Sequence, residues 1–273
     1  MYRPRVIPTP RRDAEGLASS ADGTRVAWYR YGRGERAILF IPTWNVVDAR
    51  VVGHQVAALQ EQATVVTYDP RGAGASERPE RGYDFPLHAA DALAVLEATG
   101  VDDVALVTAS RGLNAALLLA AEDPGRFQRL AVIAPYMQLE AEPAPPDPEW
   151  LESLRTDWRG FIVPFMHEVF TEPGSEDVIA EMIAIGLDST PEVVVTQELE
   201  LDWRRPALLL EAVACPTLVI HGADDAPVPA SLAESIVAAM PNARLELIPA
   251  GGHRPDIRTP ELVNPLLVDF LLG

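Results

Sequence analysis

The stretch Val104-Ala-Leu-Val-Thr-Ala-Ser-Arg-Gly112 joins an apolar run to a helical pattern, Leu113-Asn-Ala-Ala-Leu-Leu-Leu-Ala120. The apolar run predicts a buried strand, and the small residues around Ser110 predict a tight turn from which a helix begins. A Ser at such a corner is held in strained backbone with its hydroxyl clear of the sheet. The helix N-terminus behind it offers free N–H groups and the positive end of a dipole, which suits attack on a carbonyl and binding of the resulting oxyanion.

Strand and helix patterns alternate along most of the chain. Strands are predicted over 24–31, 37–41, 64–68, 104–109, 130–133, 217–220 and 245–248, and helices over 51–59, 86–99, 230–239 and 261–272. Repeated units of this kind predict an α/β protein with a mostly parallel, doubly wound sheet. The pattern between the strands at 130 and 217 is helical, so we expect residues 137–213 to form a helical cap over a core made of residues 1–136 and 214–273.

The composition excludes several kinds of site. The 273 residues include 40 acidic residues, 22 Arg and no Lys, for a net charge of −18, which argues against nucleic acid or an anionic membrane as a partner. The absence of Lys excludes Schiff-base catalysis, and the single Cys215 excludes an intramolecular disulfide. We find no signal peptide and no apolar stretch of membrane-spanning length, so the sequence predicts a soluble, cytoplasmic protein, a monomer or homodimer that acts on a small molecule.

Two further loops carry residues that would activate a Ser nucleophile. A base must remove the proton of a Ser hydroxyl, and a carboxylate must orient that base. Asp225 lies in a loop just past the strand at 217–220, and His253 lies on a Gly-rich loop after the last predicted strand. Both side chains are therefore expected at the same end of the sheet as Ser110.

Five segments, in this order, resemble the α/β-hydrolase-fold family over roughly residues 24–273. The first is Ile41-Pro-Thr-Trp-Asn45, which stands in place of the family's His-Gly oxyanion loop, and the second is Asp69-Pro-Arg-Gly-Ala-Gly-Ala-Ser76, which is similar to D-x-R-G-x-G-x-S. The third is Thr108-Ala-Ser-Arg-Gly112, which is similar to the G-x-S-x-G nucleophile elbow. The fourth is His221-Gly-Ala-Asp-Asp-Ala-Pro-Val-Pro229, which is similar to H-G-x-x-D-x-x-V-P, and the fifth is Gly251-Gly-His253, which resembles the family's His loop. The resemblance implies an α/β-hydrolase fold with a helical cap inserted before the last strands. It also implies a triad of Ser110 as nucleophile, His253 as base and Asp225 as the orienting acid.

The sequence departs from the family pattern at two places. Thr108 stands where the elbow usually has its first Gly, and we expect it to fit because this position still belongs to the strand. Pro42-Thr43 replaces His-Gly, but the donor in that loop is a backbone N–H. The resemblance therefore implies that the amides of Trp44 and Arg111 form the oxyanion hole. It implies no metal or organic cofactor.

The sequence leaves several assignments open. Asp224 is a rival to Asp225, which the motif spacing favours, and Glu140 is a second rival because some enzymes of this fold take their acid from an earlier loop. The cap pattern predicts a substrate pocket lined by Thr43, Trp158, Phe161, Phe165 and His167.

The sequence thus predicts a serine hydrolase that cleaves an ester, thioester or lactone of a neutral, largely apolar small molecule through an acyl-enzyme. One alternative is the same triad used for C–C bond hydrolysis, or for a cyclisation or elimination in a biosynthetic pathway. Another is a non-catalytic ligand-binding protein on the hydrolase fold. Residues 138–213 carry 17 acidic residues and four Arg, a charge that should slow the approach of polyanionic substrates.

Overall fold

A computed structural model describes residues 7–140 and 144–273, which are built around an eight-stranded sheet. Its strands are β1 Ala14–Ser19, β2 Arg25–Tyr31, β3 Arg36–Phe40, β4 Ala63–Tyr68, β5 Val104–Ala109, β6 Phe127–Ile133, β7 Thr217–Gly222 and β8 Ala243–Ile248. The strand order is β1-β2-β4-β3-β5-β6-β7-β8. Strands β1 and β2 pair antiparallel to their neighbours, whereas all pairs from β4 to β8 are parallel. The predicted α/β class and mostly parallel sheet are confirmed.

The first strand, β1, corrects the sequence-based prediction, which has no strand before residue 24. It pairs with β2 from Ala14 opposite Arg30 to Ser19 opposite Arg25. The segment Ala-Glu-Gly-Leu-Ala-Ser contains no β-branched or aromatic residue, so its sequence gives no strand signal. Pairing with an existing neighbour strand, not local propensity, makes this segment extended.

Helices cover both faces of the sheet, and further helices lie in an insertion between β6 and β7. They are α1 Gly53–Leu59, α2 Phe85–Thr99, α3 Leu113–Glu122, α4 Pro148–Thr156, α5 Trp158–Val169, α6 Glu176–Leu187, α7 Pro191–Glu200, α8 Arg204–Ala207, α9 Ala230–Ala239, α10 Pro255–Arg258 and α11 Pro260–Leu272, with 3-10 turns at Ala49–Val52, Ser110–Gly112 and Leu210–Ala212. Within the described ranges, none of these helices combines the length and the apolar character that crossing a membrane requires.

The core has one apolar layer on each face of the sheet. Because successive strand residues point to opposite faces, Leu39 and Val66 pack with the layer that contains α2 and α3, and Ile38 and Val65 pack with the layer that contains α1 and α11. Burial on both faces explains why the central strands are almost wholly apolar. The two layers hold the carboxyl ends of β3, β5, β7 and β8 at one edge of the sheet.

Helices α4–α8 lie between β6 and β7 in the chain, and we call residues 144–213 the helical insertion. Its buried side chains include Leu154, Ile162 and Ile185, which share one apolar cluster with Val46 and Val47 of the loop after β3. The insertion is therefore packed against a loop at the carboxyl edge of the sheet.

Candidate active site

Ser110 directly follows β5, all six residues of which are buried. Its φ of +50° lies in the left-handed region, a strained conformation for a residue other than Gly. The chain turns here into the 3-10 turn and then into α3, while the Ser110 carbonyl accepts a hydrogen bond from the Tyr136 amide at 3.2 Å. This sharp corner is the geometry that presents a hydroxyl clear of a strand end.

The turn after Ser110 packs very closely against the loop that follows β3. A Cβ atom at Gly112 would lie 2.0 Å from Thr108 Oγ1 and 2.4 Å from the Pro42 carbonyl oxygen, so this position has room for Gly only. Thr108 is part of β5, and its hydroxyl donates to the Ile41 carbonyl at 3.0 Å. Thr108, which stands where the family pattern has Gly, thereby connects β5 to the loop after β3.

Gly112→Ala is expected to lower the free energy of unfolding by about 2 kcal/mol or more, because the new Cβ overlaps a backbone oxygen that cannot move freely. Urea denaturation measures the change. Gly125→Ala is the matched control, since a Cβ there would meet only Asp123 Oδ1 at 3.7 Å. Equal effects of the two substitutions would contradict the close approach at Gly112.

The side chains of Ser110, His253 and Asp225 form one hydrogen-bonded chain. His253 Nδ1 lies 2.8 Å from Asp225 Oδ2, and His253 Nε2 lies 3.2 Å from Ser110 Oγ. The other oxygen, Asp225 Oδ1, accepts the Val228 amide at 2.9 Å. With a carboxylate on Nδ1, the imidazole carries its proton there and directs the Nε2 lone pair at the hydroxyl.

Asp224 and Glu140 are both exposed, and the carboxylate that reaches His253 is that of buried Asp225. A second buried imidazole, that of His221, approaches the same oxygen of this carboxylate as His253 does. His221 Nε2 lies 3.0 Å from the Val228 carbonyl and 3.3 Å from Asp225 Oδ2. Burial lowers the pKa of His221, which keeps the ring neutral and able to donate to the Val228 carbonyl.

The loop that carries His253 is fixed by both the core and the helical insertion. A Cβ at Gly222 would lie 2.1 Å from the Gly252 carbonyl oxygen, so the end of β7 and the loop after β8 touch each other through backbone atoms. The Gly252 amide donates to Glu172 at 2.8 Å, and the His253 amide donates to the Val169 carbonyl at 3.2 Å. Sequence reasoning missed Glu172, because no motif or spacing marks it.

A mostly apolar cavity lies beside Ser110 and His253. Its other lining residues are Thr43, Trp44, Val46, Val47, Phe165, Met166, Val169, Met182 and Arg254. Arg254 is bound through two hydrogen bonds, of 2.9 and 2.7 Å, to buried Asp256. Because this partner compensates its charge, the described residues of the cavity wall present no free cation to a ligand.

Two of the five predicted pocket residues, Thr43 and Phe165, line this cavity. Phe161 stacks on Phe165 at 5.5 Å between ring centroids, and Trp158 stacks on Phe161 at 5.7 Å, so these two rings continue the stack outside the cavity lining. His167 is exposed and is not a lining residue. The rotation of α5 about its axis directs the His167 side chain to solvent, and the sequence does not predict that rotation.

The residues whose amides are predicted to bind the oxyanion lie side by side. Trp44 belongs to the loop after β3, and Arg111 follows Ser110. The Arg111 guanidinium stacks 4.5 Å from the centre of the Trp44 ring and forms an ion pair with Glu198 of α7. The loop after β3, the elbow and the helical insertion therefore meet at this point.

His88 of α2 borders the space behind the loop after β3, together with Pro42 and Thr43. Burial lowers the pKa of His88 from its ordinary value of 6.5 to about 4. Between about pH 4 and pH 6.5, His88 binds a proton in the unfolded chain but not in the folded chain. The stability linked to His88 is therefore fully present above pH 6.5 and is lost as the pH falls toward 4.

We expect the wild type to lose about 2 kcal/mol more unfolding free energy than His88→Gln between about pH 7 and pH 5. Urea denaturation at both pH values measures the difference. His167→Gln, at an exposed position, should lose as much as the wild type. Equal losses in the wild type and in His88→Gln would contradict a buried neutral ring.

Comparisons with known proteins agree with this architecture. The family model of the alpha/beta hydrolase fold matches residues 38–170. The chain is 26% identical to the serine hydrolase BPHL of Mus musculus, over 92% of the chain and 84% of that protein. It is 28% identical to the putative carbamate hydrolase RutD of Klebsiella pneumoniae subsp. pneumoniae, over 80% of the chain and 84% of that protein. The structure of the esterase EaEST from Exiguobacterium antarcticum superposes with a TM-score of 0.83 at 20% identity, covering 94% of the chain and 99% of the esterase.

Proposed function

Since the chain has the α/β-hydrolase fold, we propose that it is a serine hydrolase that cleaves an ester, thioester or lactone of a neutral, largely apolar small molecule through an acyl-enzyme. The observation that carries this proposal is the chain of hydrogen bonds from Asp225 through His253 to Ser110, at the edge of an apolar cavity. The two relatives of similar length are named as hydrolases, which supports the same class of reaction.

In the proposed mechanism, Ser110 Oγ attacks the substrate carbonyl while His253 Nε2 takes its proton. His253 then returns the proton to the leaving group, and an activated water later cleaves the acyl-enzyme in the same way. Asp225 keeps the imidazole in the required tautomer and stabilises its protonated form. The Trp44 and Arg111 amides hold the oxyanion, where each donor contributes most as charge develops in the transition state.

The helical insertion is proposed to act as a cap, with residues 137–213 as the cap and residues 1–136 and 214–273 as the hydrolase core. Support comes from the insertion residues that contact the site: Phe165, Met166 and Met182 line the cavity, and Glu172 binds the loop of His253. A substrate would therefore be enclosed between the sheet edge and helices α5 and α6.

Product partition tests the acyl-enzyme directly. Neutral p-nitrophenyl, phenyl and thiophenyl esters of one short acid are incubated with the protein in the presence of added methanol. A shared acyl-enzyme predicts one ratio of methyl ester to free acid for all three leaving groups, because the same intermediate partitions each time. Ratios that vary with the leaving group would contradict a common intermediate. Binding of these esters without turnover would favour the ligand-binding alternative.

The charge of residues 138–213 predicts a preference among carriers. At low salt, an acyl group on a phosphate-bearing carrier should have a lower kcat/KM than the same acyl group on a neutral alcohol, because residues 138–213 carry 17 acidic residues and four Arg. Added salt should relieve part of the deficit by screening. Steady-state kinetics at low and high salt measure the ratio, and a preference for the anionic carrier at low salt would contradict the proposal of a neutral substrate.

A further inference from the structure

A buried side-chain amide holds the loop that carries Trp44. Asn45 is 1% exposed, and both ends of its amide are hydrogen bonded. Asn45 Nδ2 donates to the Arg71 carbonyl at 2.5 Å, and Asn45 Oδ1 accepts from Gln197 Nε2 at 2.8 Å. The Asn45 carbonyl accepts from Ser189 Oγ at 2.8 Å. Three buried hydrogen bonds therefore converge on the residue next to the predicted oxyanion donor.

The partners of Asn45 belong to separate parts of the chain. Arg71 lies in the loop after β4, and its fully buried guanidinium is paired with Asp91 at 2.6 Å, which makes its backbone a rigid anchor. Gln197 lies on α7, and Ser189 lies just before that helix. Two of the three hydrogen bonds thus come from the helical insertion.

The opposite end of the same loop is held by the core alone. The Ile41 amide donates to the Val107 carbonyl at 2.8 Å, and the Ile41 carbonyl accepts from Thr108 Oγ1 at 3.0 Å. Residues 42–44 therefore span two fixed points, one made by β5 and the other by Asn45. The position of the Trp44 peptide depends on both.

Only a side-chain amide at position 45 satisfies both partners of the Asn45 side chain, Arg71 and Gln197. Its NH2 group donates to a carbonyl while its oxygen accepts from the NH2 group of Gln197. A carboxylate would set an acceptor against the Arg71 carbonyl, and an apolar side chain would leave two buried groups unpaired. This requirement accounts for the pairing of two buried amide residues, Asn45 and Gln197, at the back of the site.

We propose that Asn45 is a positioning residue, which together with Gln197 holds the Trp44 peptide where its N–H meets the carbonyl oxygen of a bound substrate. The helical insertion therefore helps to build the oxyanion hole as well as to cover the site. This inference rests on the proposed hydrolase function. Because an oxyanion donor acts mainly in the transition state, loosening the loop lowers kcat and leaves substrate binding largely intact.

Gln197→Leu is the main test variant, and Ser189→Ala removes the second hydrogen bond from the insertion. We expect Gln197→Leu to lower kcat about 10- to 100-fold with KM within about threefold, less than the loss of about 100- to 1000-fold typical of deleting a donor outright. A trifluoromethyl ketone that mimics the tetrahedral intermediate should bind more weakly by the same factor as kcat falls. Amide hydrogen exchange at residues 43–47 should become faster. Ser189→Ala should change each quantity in the same direction and by less.

Val195→Ala is the matched control, because Val195 is buried on the same helix and makes none of these hydrogen bonds. It should lower the melting temperature while kcat stays within about twofold of the wild type. Equal losses of kcat in Val195→Ala and Gln197→Leu would overturn the inference, since the lower kcat would then result from a less stable α7 and not from the lost hydrogen bond. A Gln197→Leu variant that kept the kcat, the ketone affinity and the amide exchange rates of the wild type would overturn the inference as well.

The same experiment separates this inference from the proposed function. A wild type that neither turns over esters nor binds the ketone contradicts the hydrolase proposal. The exchange data then decide alone: faster exchange at residues 43–47 in Gln197→Leu supports the anchoring of the loop, and unchanged exchange overturns it.

Discussion

Ser110→Ala is expected to lower kcat for ester hydrolysis by about 10,000-fold or more, because the variant has no atom at this position that can form the acyl-enzyme. The hydroxyl is hydrogen bonded to His253, and the backbone corner does not depend on the side-chain oxygen. The melting temperature should therefore stay within a few degrees of the wild type. Steady-state kinetics and thermal unfolding measure the two quantities.

Ser235→Ala provides the control for this prediction. Ser235 is exposed on α9 and donates to the Ser231 carbonyl at 2.9 Å, and it takes no part in the hydrogen bonds of the triad described above. Its kcat should equal that of the wild type. A Ser110→Ala variant that kept more than about a tenth of wild-type kcat would show that Ser110 is not the nucleophile.

Asp225→Asn is expected to lower kcat about 1,000- to 10,000-fold, whereas Asp224→Asn should leave kcat within about twofold. The Val228 amide demands an acceptor from residue 225, so an Asn there would turn its NH2 group toward His253 Nδ1. His253 would then carry its proton on Nε2, facing Ser110, and could not accept the Ser proton. Asp224 is exposed, and its side chain has no such role.

Kinetics of the two Asn variants under identical conditions rank the carboxylates. A larger loss in Asp224→Asn, or equal losses in both, would mean that the wrong acid has been assigned. Thermal unfolding of both variants separates an effect on catalysis from a general loss of structure, which matters because Asp225 is buried and Asp224 is exposed.

The sequence predicts the parallel part of the fold well because those strands are short apolar runs buried on both faces. Strand β5 and the turn at Ser110 are examples, since a run of six buried residues followed by small residues leaves few other structures open. Local sequence does not predict β1, because that strand forms by pairing with β2 and contains a Gly packed against the Trp28 ring.

The residues of the candidate site likewise fall into those that local sequence predicts and those that it does not. Ser110, Asp225 and His253 are recognisable because each follows a strand within a short motif of fixed spacing. Asn45, Gln197 and Glu172 are not, because their roles come from contacts across 80 to 152 positions of the chain. Such contacts depend on how the helical insertion sits on the sheet, which no local pattern records.

The lining of the cavity shows what the sequence of a single helix does not predict. Phe165 and His167 are two positions apart on α5, so the rotation of that helix turns one into the cavity and the other to solvent. An aromatic pattern on the helix predicts an apolar face. It does not identify which residues of that face meet the cavity, because the stack of Trp158 and Phe161 on Phe165 is set by tertiary packing.

Titration with a fluorophosphonate probe tests most directly whether Ser110 is an activated nucleophile. The probe phosphonylates a Ser only where a base removes its proton and an oxyanion hole accepts the developing charge. The predicted result is one label per chain, mapped to Ser110 by mass spectrometry, with esterase activity falling in proportion to labelling and no label on Ser110→Ala. Labelling at another residue, or full activity in a chain labelled at Ser110, would contradict the account.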